Sequence, residues 1–174
     1  MRLVILGLLL SGPLSVYDMR QRFTQVVSLF YSASLGSLQR TVAALADEGL
    51  VTVSEDAASA RRRREVALTD AGRAAWRASM LAPLPPGDAE KTMLARVFFA
   101  GRLGRRADRV AVLELVRDRV EADHARLVAL GADLADQRAH SAAAYPFATL
   151  DHGVAASELT RRWISGLLAA EVSA

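Results

Sequence analysis

Hydrophobic and polar positions along the 174-residue chain follow two regimes: a first half whose period changes part-way, and a second half that keeps a helical period. Leu3 to Leu10 is almost continuously apolar and is stopped by Gly12-Pro13, which reads as a short, fully buried first helix. Only Arg2 precedes this run and no small-x-small site follows it, so it makes a poor secretory signal and a cytoplasmic protein is expected. Ser15 with Asp18 three residues on forms a capping box, after which Val16, Met19, Phe23 and Val26 share one helical face. Beyond a loop over 28–33, Ser34 caps a third helix striped by Leu35, Leu38, Val42 and Leu45 and ended by Gly49. The period then falls to two. Val51 and Val53 alternate with Thr52 and Ser54, a polar and basic stretch runs over 55–64, and Val66 and Leu68 resume the alternation. Thr69 caps a fourth helix through Trp76 to about Leu81. Three helices, a hairpin and a helix in this order predict a winged helix-turn-helix.

Ala82-Pro83-Leu84-Pro85-Pro86-Gly87-Asp88 cannot continue a helix and reads as a stiff connector. It divides the chain into a DNA-binding domain over 1–81, a linker over 82–87 and a helical domain over 88–174. In the second domain, Met93, Leu94, Val97 and Phe98 mark a helix over Lys91 to Arg102. From Arg106 a helix of about 30 residues carries Leu113, Val120, Leu127 and Leu134 in one heptad position, with Val116 and Leu130 three residues later. A last helix, roughly Phe147 to Ala169, places Ala156, Leu159, Trp163 and Leu167 on one stripe. The fold class expected is therefore mainly α (α+β): a winged helix-turn-helix followed by an α-helical dimerisation domain. A helix so long cannot bury its stripe inside so small a domain, which points to a homodimer held by Leu113, Val116, Val120, Leu127, Leu130 and Leu134. The other reading is an intramolecular hairpin between the two long helices.

Charge separates the halves further. The net +3 resides wholly in residues 1–81, while residues 82–174 are neutral, and Arg61-Arg62-Arg63-Arg64 alone exceeds the excess. Such asymmetry suggests a polyanion for the first half. Because Lys91 is the only lysine, arginine is also explicable by coding bias. The absence of cysteine excludes disulfides, thiolate metal sites and thiol nucleophiles. His124, His140 and His152 stand at no ligand spacing, and no nucleophile elbow, P-loop or dinucleotide fingerprint occurs. No metal, cofactor or enzymatic activity is expected, and no apolar run reaches the length of a membrane span.

Leu6-Gly7-Leu8-Leu9 with Gly12-Pro13-Leu14-Ser15-Val16-Tyr17 resembles the opening of the PadR family of transcriptional regulators. Ser32-Ala33-Ser34-Leu35-Gly36-Ser37-Leu38 is similar to the family's recognition-helix segment. Leu45-Ala46-Asp47-Glu48-Gly49-Leu50-Val51 and Leu68-Thr69-Asp70-Ala71-Gly72-Arg73 are similar to its helix end and its hairpin-to-helix junction. Phe98-Phe99-Ala100-Gly101 and Tyr145-Pro146-Phe147-Ala148-Thr149-Leu150-Asp151-His152-Gly153 resemble the helical domain of its longer members. The chain departs from the family at Ser15-Val16, where His-Gly is usual, and at Gln39, where a phosphate-contacting tyrosine is usual. Ala43 and Ala44 stand at positions that are often basic. These departures imply weaker backbone contacts from the recognition helix, with Arg40 and the wing arginines carrying more.

The resemblance and the charge pattern together imply a double-stranded DNA partner. Ser32, Ser34, Ser37, Gln39 and Arg40 are candidate contacts from the recognition helix, and Arg61, Arg62, Arg63 and Arg64 from the wing. Ser34 is equally well explained as a helix cap alone, and the arginines as a solvated loop. Trp76, Phe98, Phe99, Tyr145, Phe147 and Trp163 form a candidate pocket for a small aromatic effector, with ordinary core filling as the plainer account. The expected function is a sequence-specific transcriptional regulator, a homodimeric repressor on an inverted-repeat operator, released by such an effector. The alternative is a winged-helix protein-interaction module that has lost DNA reading, for which Gln39, Ala43 and Ala44 speak.

Overall fold

The fold is described from a computed structural model, over residues 1–25, 27–29, 31–55, 64–84, 89–138 and 144–173. It is mainly helical with one small antiparallel sheet, and it divides into two compact units, Met1–Gly104 and Arg105–Ala174. Among the described residues no helix is long and apolar enough to cross a membrane.

The first unit contains α1 (Arg2–Leu9), β1 (Leu14–Ser15), α2 (Val16–Gln25), α3 (Leu35–Asp47), β2 (Val51–Glu55), β3 (Arg64–Leu68), α4 (Asp70–Leu81) and α5 (Ala89–Ala100). The expected caps form. Ser15 Oγ accepts from the Asp18 N–H at 3.1 Å while donating to the Asp18 carboxylate at 2.7 Å, which sets the entry of α2. Gly49 ends α3 with φ +69°, a conformation that costs glycine little. Thr69 Oγ1 accepts from the Gly72 N–H at 3.0 Å and donates to the Gly49 carbonyl at 2.8 Å, tying the start of α4 to the end of α3. The hairpin pairs Val51 with Leu68 and Glu55 with Arg64. A further strand, β1, joins β3 through Leu14 opposite Val66, giving the sheet order β1-β3-β2. Ile5, Leu9, Met19, Leu38, Leu45, Val66 and Met80 are sealed from solvent and form the core beneath α3 and the hairpin.

The boundary between units lies beyond the proline stretch, because α5 packs onto the first unit. Residues 82–84 of the expected linker 82–87 and the helix α5 therefore fall inside that unit, while 85–87 lie outside the described residues. Phe99 fills the space left by Gly7: a Cβ there would stand 2.8 Å from the ring. Arg96, only 2% exposed, donates to the carbonyls of Ala82 and Pro83 and so ties the chain just after α4 to α5. Burial pushes its pKa down, and among the described residues no acid pairs with it. Arg96→Met keeps the stem's packing but removes both hydrogen bonds, set against relief of a buried unpaired charge. Thermal melting of the variant is expected to show a loss of about 1–2 kcal/mol.

The second unit is an antiparallel pair of long helices, α6 (Arg106–Asp133, 28 residues) and α7 (Ala144–Ser173, 30 residues). Polar and ionic rungs hold its register. Arg109 pairs with Glu171 at 2.7 Å, Arg161 with Glu121 at 2.8 Å, and His124 Nδ1 lies 2.8 Å from Ser157 Oγ. Gly131 faces Leu150 and Gly153 faces Leu127, each closely enough that an added Cβ would make van der Waals contact. In this register Val116 stands level with Ile164, and both are fully buried.

Candidate nucleic-acid interface

The exposed face of α3 is built from its first turn. Ser34 Oγ accepts from the Ser37 N–H at 3.2 Å, and Ser37 Oγ donates to the Ser34 carbonyl at 2.8 Å. Both hydroxyls thus serve the cap, which fixes where the helix begins and how its free N–H groups point. Gln39, Arg40, Ala43 and Ala44 lie exposed along the same helix. The Arg40 guanidinium folds back over Gly36, with Nη1 3.5 Å from the place a Gly36 Cβ would occupy. It thereby adds a cation beside the N-terminal turn, which already presents a positive dipole end. Among the described residues Arg40 makes no ion pair, in contrast to Arg2, whose guanidinium grips Glu48 and holds that carboxyl below the usual carboxylate range.

Ser32 lies just before the cap and lines a cleft with Tyr31, Lys91 and Thr92. Arg64 is exposed at the start of β3, opposite Glu55, while Arg61, Arg62 and Arg63 lie outside the described residues. The structure thus places Ser32, Ser34, Ser37, Gln39 and Arg40 within one segment. A second exposed polar face, lined by Tyr17, Arg20, Gln21 and Thr24 of α2, was not singled out by the sequence. Its signal was weak, since an exposed helical face looks the same with or without a partner.

The six aromatic residues expected to form an effector pocket separate by unit. In the first, Trp76 and Phe99 are buried and Phe98, edge-to-face with Phe99 at 4.8 Å between ring centroids, is 41% exposed. In the second, Phe147 is buried beneath the Arg138 guanidinium, 4.6 Å from its ring centroid, and Tyr145 is 86% exposed. Phe147 and Trp163 lie about 24 Å apart along α7 and do not share a site. A groove of about 420 Å³ does open between α6 and α7, lined by apolar residues such as Leu127, Val128, Leu150 and Val154 and also by the polar His124, Arg138, Asp151 and Glu158. None of the six aromatics lines it.

The expected dimer stripe divides likewise. Leu113, Val116 and Val120 are buried within the single chain, Leu127 and Leu134 are half-buried, and Leu130 is exposed. The two long helices pair within the chain, as the hairpin reading had it, and the first three residues are buried in the single chain. Exposed apolar positions lie instead at Val128, Leu130, Leu159 and Trp163. Among the described residues no three His, Asp or Glu side chains gather as a metal site.

Residues 5–78, from within α1 to within α4, match the family described as transcriptional regulator PadR-like. This stretch is a PadR-like domain. The match spans somewhat under half of the chain, and the family is one of transcriptional regulators. Solved structures similar to the chain include Bacillus subtilis PadR in complex with operator DNA, at 21% identity and TM-score 0.46, covering 96% of this chain and 97% of that one. A PadR-like transcriptional regulator from Bacillus cereus is 23% identical with TM-score 0.41, covering 99% of this chain and 98% of its own. Bacillus subtilis PadR in complex with p-coumaric acid is 22% identical with TM-score 0.44, covering 98% and 97%. No curated protein matches the chain in sequence. The PadR-like domain ends before α5, although α5 packs onto it.

Proposed function

We propose that the chain binds double-stranded DNA in a sequence-specific manner and represses transcription as a homodimer on an inverted-repeat operator. The observation that carries this reading is the exposed first half of α3, where a capped helix N-terminus, Gln39 and Arg40, which makes no ion pair among the described residues, stand together on a PadR-like domain. In a winged helix-turn-helix this helix enters the major groove and the hairpin reaches the neighbouring backbone. Two-fold symmetry then places half-sites about 34 Å apart, or a multiple of that. The exposed Leu130, Leu159 and Trp163 of the second unit support self-association, because a paired hairpin leaves them without cover. Release by a small aromatic effector belongs to the same reading. The groove between α6 and α7 has the size and apolar lining that a flat molecule needs.

The test is fluorescence anisotropy with the duplex upstream of the chain's own gene, against a shuffled duplex, at two salt concentrations. Tighter binding to the native duplex is the expected result. Equal, salt-sensitive binding to both would remove sequence reading and favour the protein-interaction module, for which the exposed Ala43 and Ala44 speak.

A further inference from the structure

The groove between α6 and α7 holds a polar arrangement that its apolar wall does not explain. Ser157 Oγ lies 2.8 Å from the Val154 carbonyl and 2.8 Å from His124 Nδ1. A carbonyl cannot donate, so the hydroxyl proton goes to Val154 and Ser157 accepts from the His124 Nδ1–H. That fixes the tautomer, and the neutral ring carries its unprotonated nitrogen at Nε2. Glu158 Oε2 stands 3.8 Å from this Nε2, and both residues line the groove. Two acceptors face each other there, at a distance too long for a direct hydrogen bond.

Charge around this pair favours a cation. Arg161 donates to Glu158 at 2.6 Å and to Glu121 at 2.8 Å, so one guanidinium serves two carboxylates and holds the Glu158 carboxyl below its usual range. Arg162 reaches Glu158 only at 3.7 Å from a largely exposed side chain, where solvent screens it. The lining cation, Arg138, is committed to Asp151 at 2.6 and 3.0 Å. Leu127 and Val128 of α6 and Leu150 and Val154 of α7 supply the apolar wall. We infer that this groove is a binding site for a flat apolar molecule carrying a primary ammonium group, whose nitrogen bridges His124 Nε2 and the Glu158 carboxylate while its body lies on the leucine and valine side chains. One ammonium donates to both acceptors at once. Water can span the same gap, but it brings neither charge nor apolar surface. An aromatic carboxylate would set its charge against Glu158 and find Arg138 already engaged. The inference rests on the effector part of the reading above and gives that effector a charge.

The experiment titrates the full-length chain, free of DNA, with naphthylmethylammonium and with naphthoate in a calorimeter. The two probes share a ring system and differ in the sign of their charge, so their comparison on the unchanged protein needs no variant. The ammonium should bind about tenfold or more tightly than the carboxylate. Glu158→Gln should weaken the ammonium about tenfold and leave naphthoate unchanged or tighter, whereas a merely structural role for Glu158 would weaken both. His124→Phe should weaken the ammonium several-fold, and Leu150→Trp, which fills the groove, should abolish binding of both probes. Circular dichroism checks that each variant is folded. No saturable binding of the ammonium by the parent overturns the inference, whether a second copy covers the groove or nothing does. Equal binding of the two probes, or ammonium binding that survives Leu150→Trp, overturns it as well. The native duplex is then titrated with and without the ammonium. Site binding that leaves DNA affinity unchanged keeps the site and removes the effector from the reading above, and a parent that binds no duplex removes that reading while the calorimetry stands.

Discussion

Changing Arg61, Arg62, Arg63 and Arg64 together to alanine is expected to weaken DNA binding on the order of a hundredfold near 0.1 M salt. The slope of log affinity against log salt should flatten by up to about 3.6, at about 0.9 for each lost phosphate contact. The physical reason is counterion release: each guanidinium on a phosphate sets free a condensed cation, and that entropy vanishes as salt rises. Native and shuffled duplexes should suffer alike if the arginines touch only backbone. A larger loss on one sequence would instead place an arginine in a narrow minor groove, where width depends on sequence. The single change Arg64→Ala, at the exposed start of β3, should account for about one contact in the series. Anisotropy across a salt range reads both quantities. An unchanged slope in a protein that still binds DNA would remove the wing from the interface.

Gly72→Ala should cost about 3 kcal/mol or more and lower the melting temperature by roughly 6–12 °C. An added Cβ would stand 2.0 Å from the Leu50 carbonyl oxygen and 2.8 Å from Leu68 Cδ1. The first of these is backbone and cannot turn aside. Leu50 follows the left-handed Gly49, and its carbonyl also accepts the Thr69 N–H at 3.2 Å. Any retreat of Leu50 therefore loosens the entry to β2 and the exit from β3 at once. Gly101→Ala is the control, since nothing lies within 4 Å of its Cβ position, and it should stay within about 0.5 kcal/mol of the parent. Thermal melts of the two variants side by side decide the matter. A Gly72→Ala variant that melts with its parent would mean that the α3–β2 turn yields far more easily than its hydrogen bonds suggest.

Much of the architecture was legible because its signals are local. Ser15 with Asp18, Ser34, Gly49 and Thr69 each act within three or four residues, and each does in the structure what its chemistry suggests. The change of period after Gly49 located the hairpin, since alternation needs only a few residues to be seen. Strand β1 escaped because two residues, Leu14 and Ser15, cannot display a period, and it exists through pairing with a strand about fifty positions away. The place of α5 escaped for a related reason. Three prolines mark a break in helical structure, but whether the next helix stays attached depends on Phe99 meeting Gly7 and on Arg96 reaching back to Ala82. Nothing in the spacing of those residues announces either contact. The heptad stripe of α6 was read correctly as apolar, yet a stripe does not say which helix covers it, and α7 of the same chain competes with a second copy. For the candidate interface, residue types identified Arg40 and Ser34. The nearness of Lys91 to Ser32 arises only from folding.

The seating of Phe99 against Gly7 also bears on how the chain can be shortened. A fragment stopped at Leu81, where the helical pattern first ends, would strip the ring from α1 and remove the arginine that braces Ala82 and Pro83. It would leave an uncovered apolar hollow on the surface it hopes to isolate. The cut that keeps Phe99 and Arg96 with the first compact unit falls instead at Gly104, and a crystallographer or a library designer seeking that half alone would cut there.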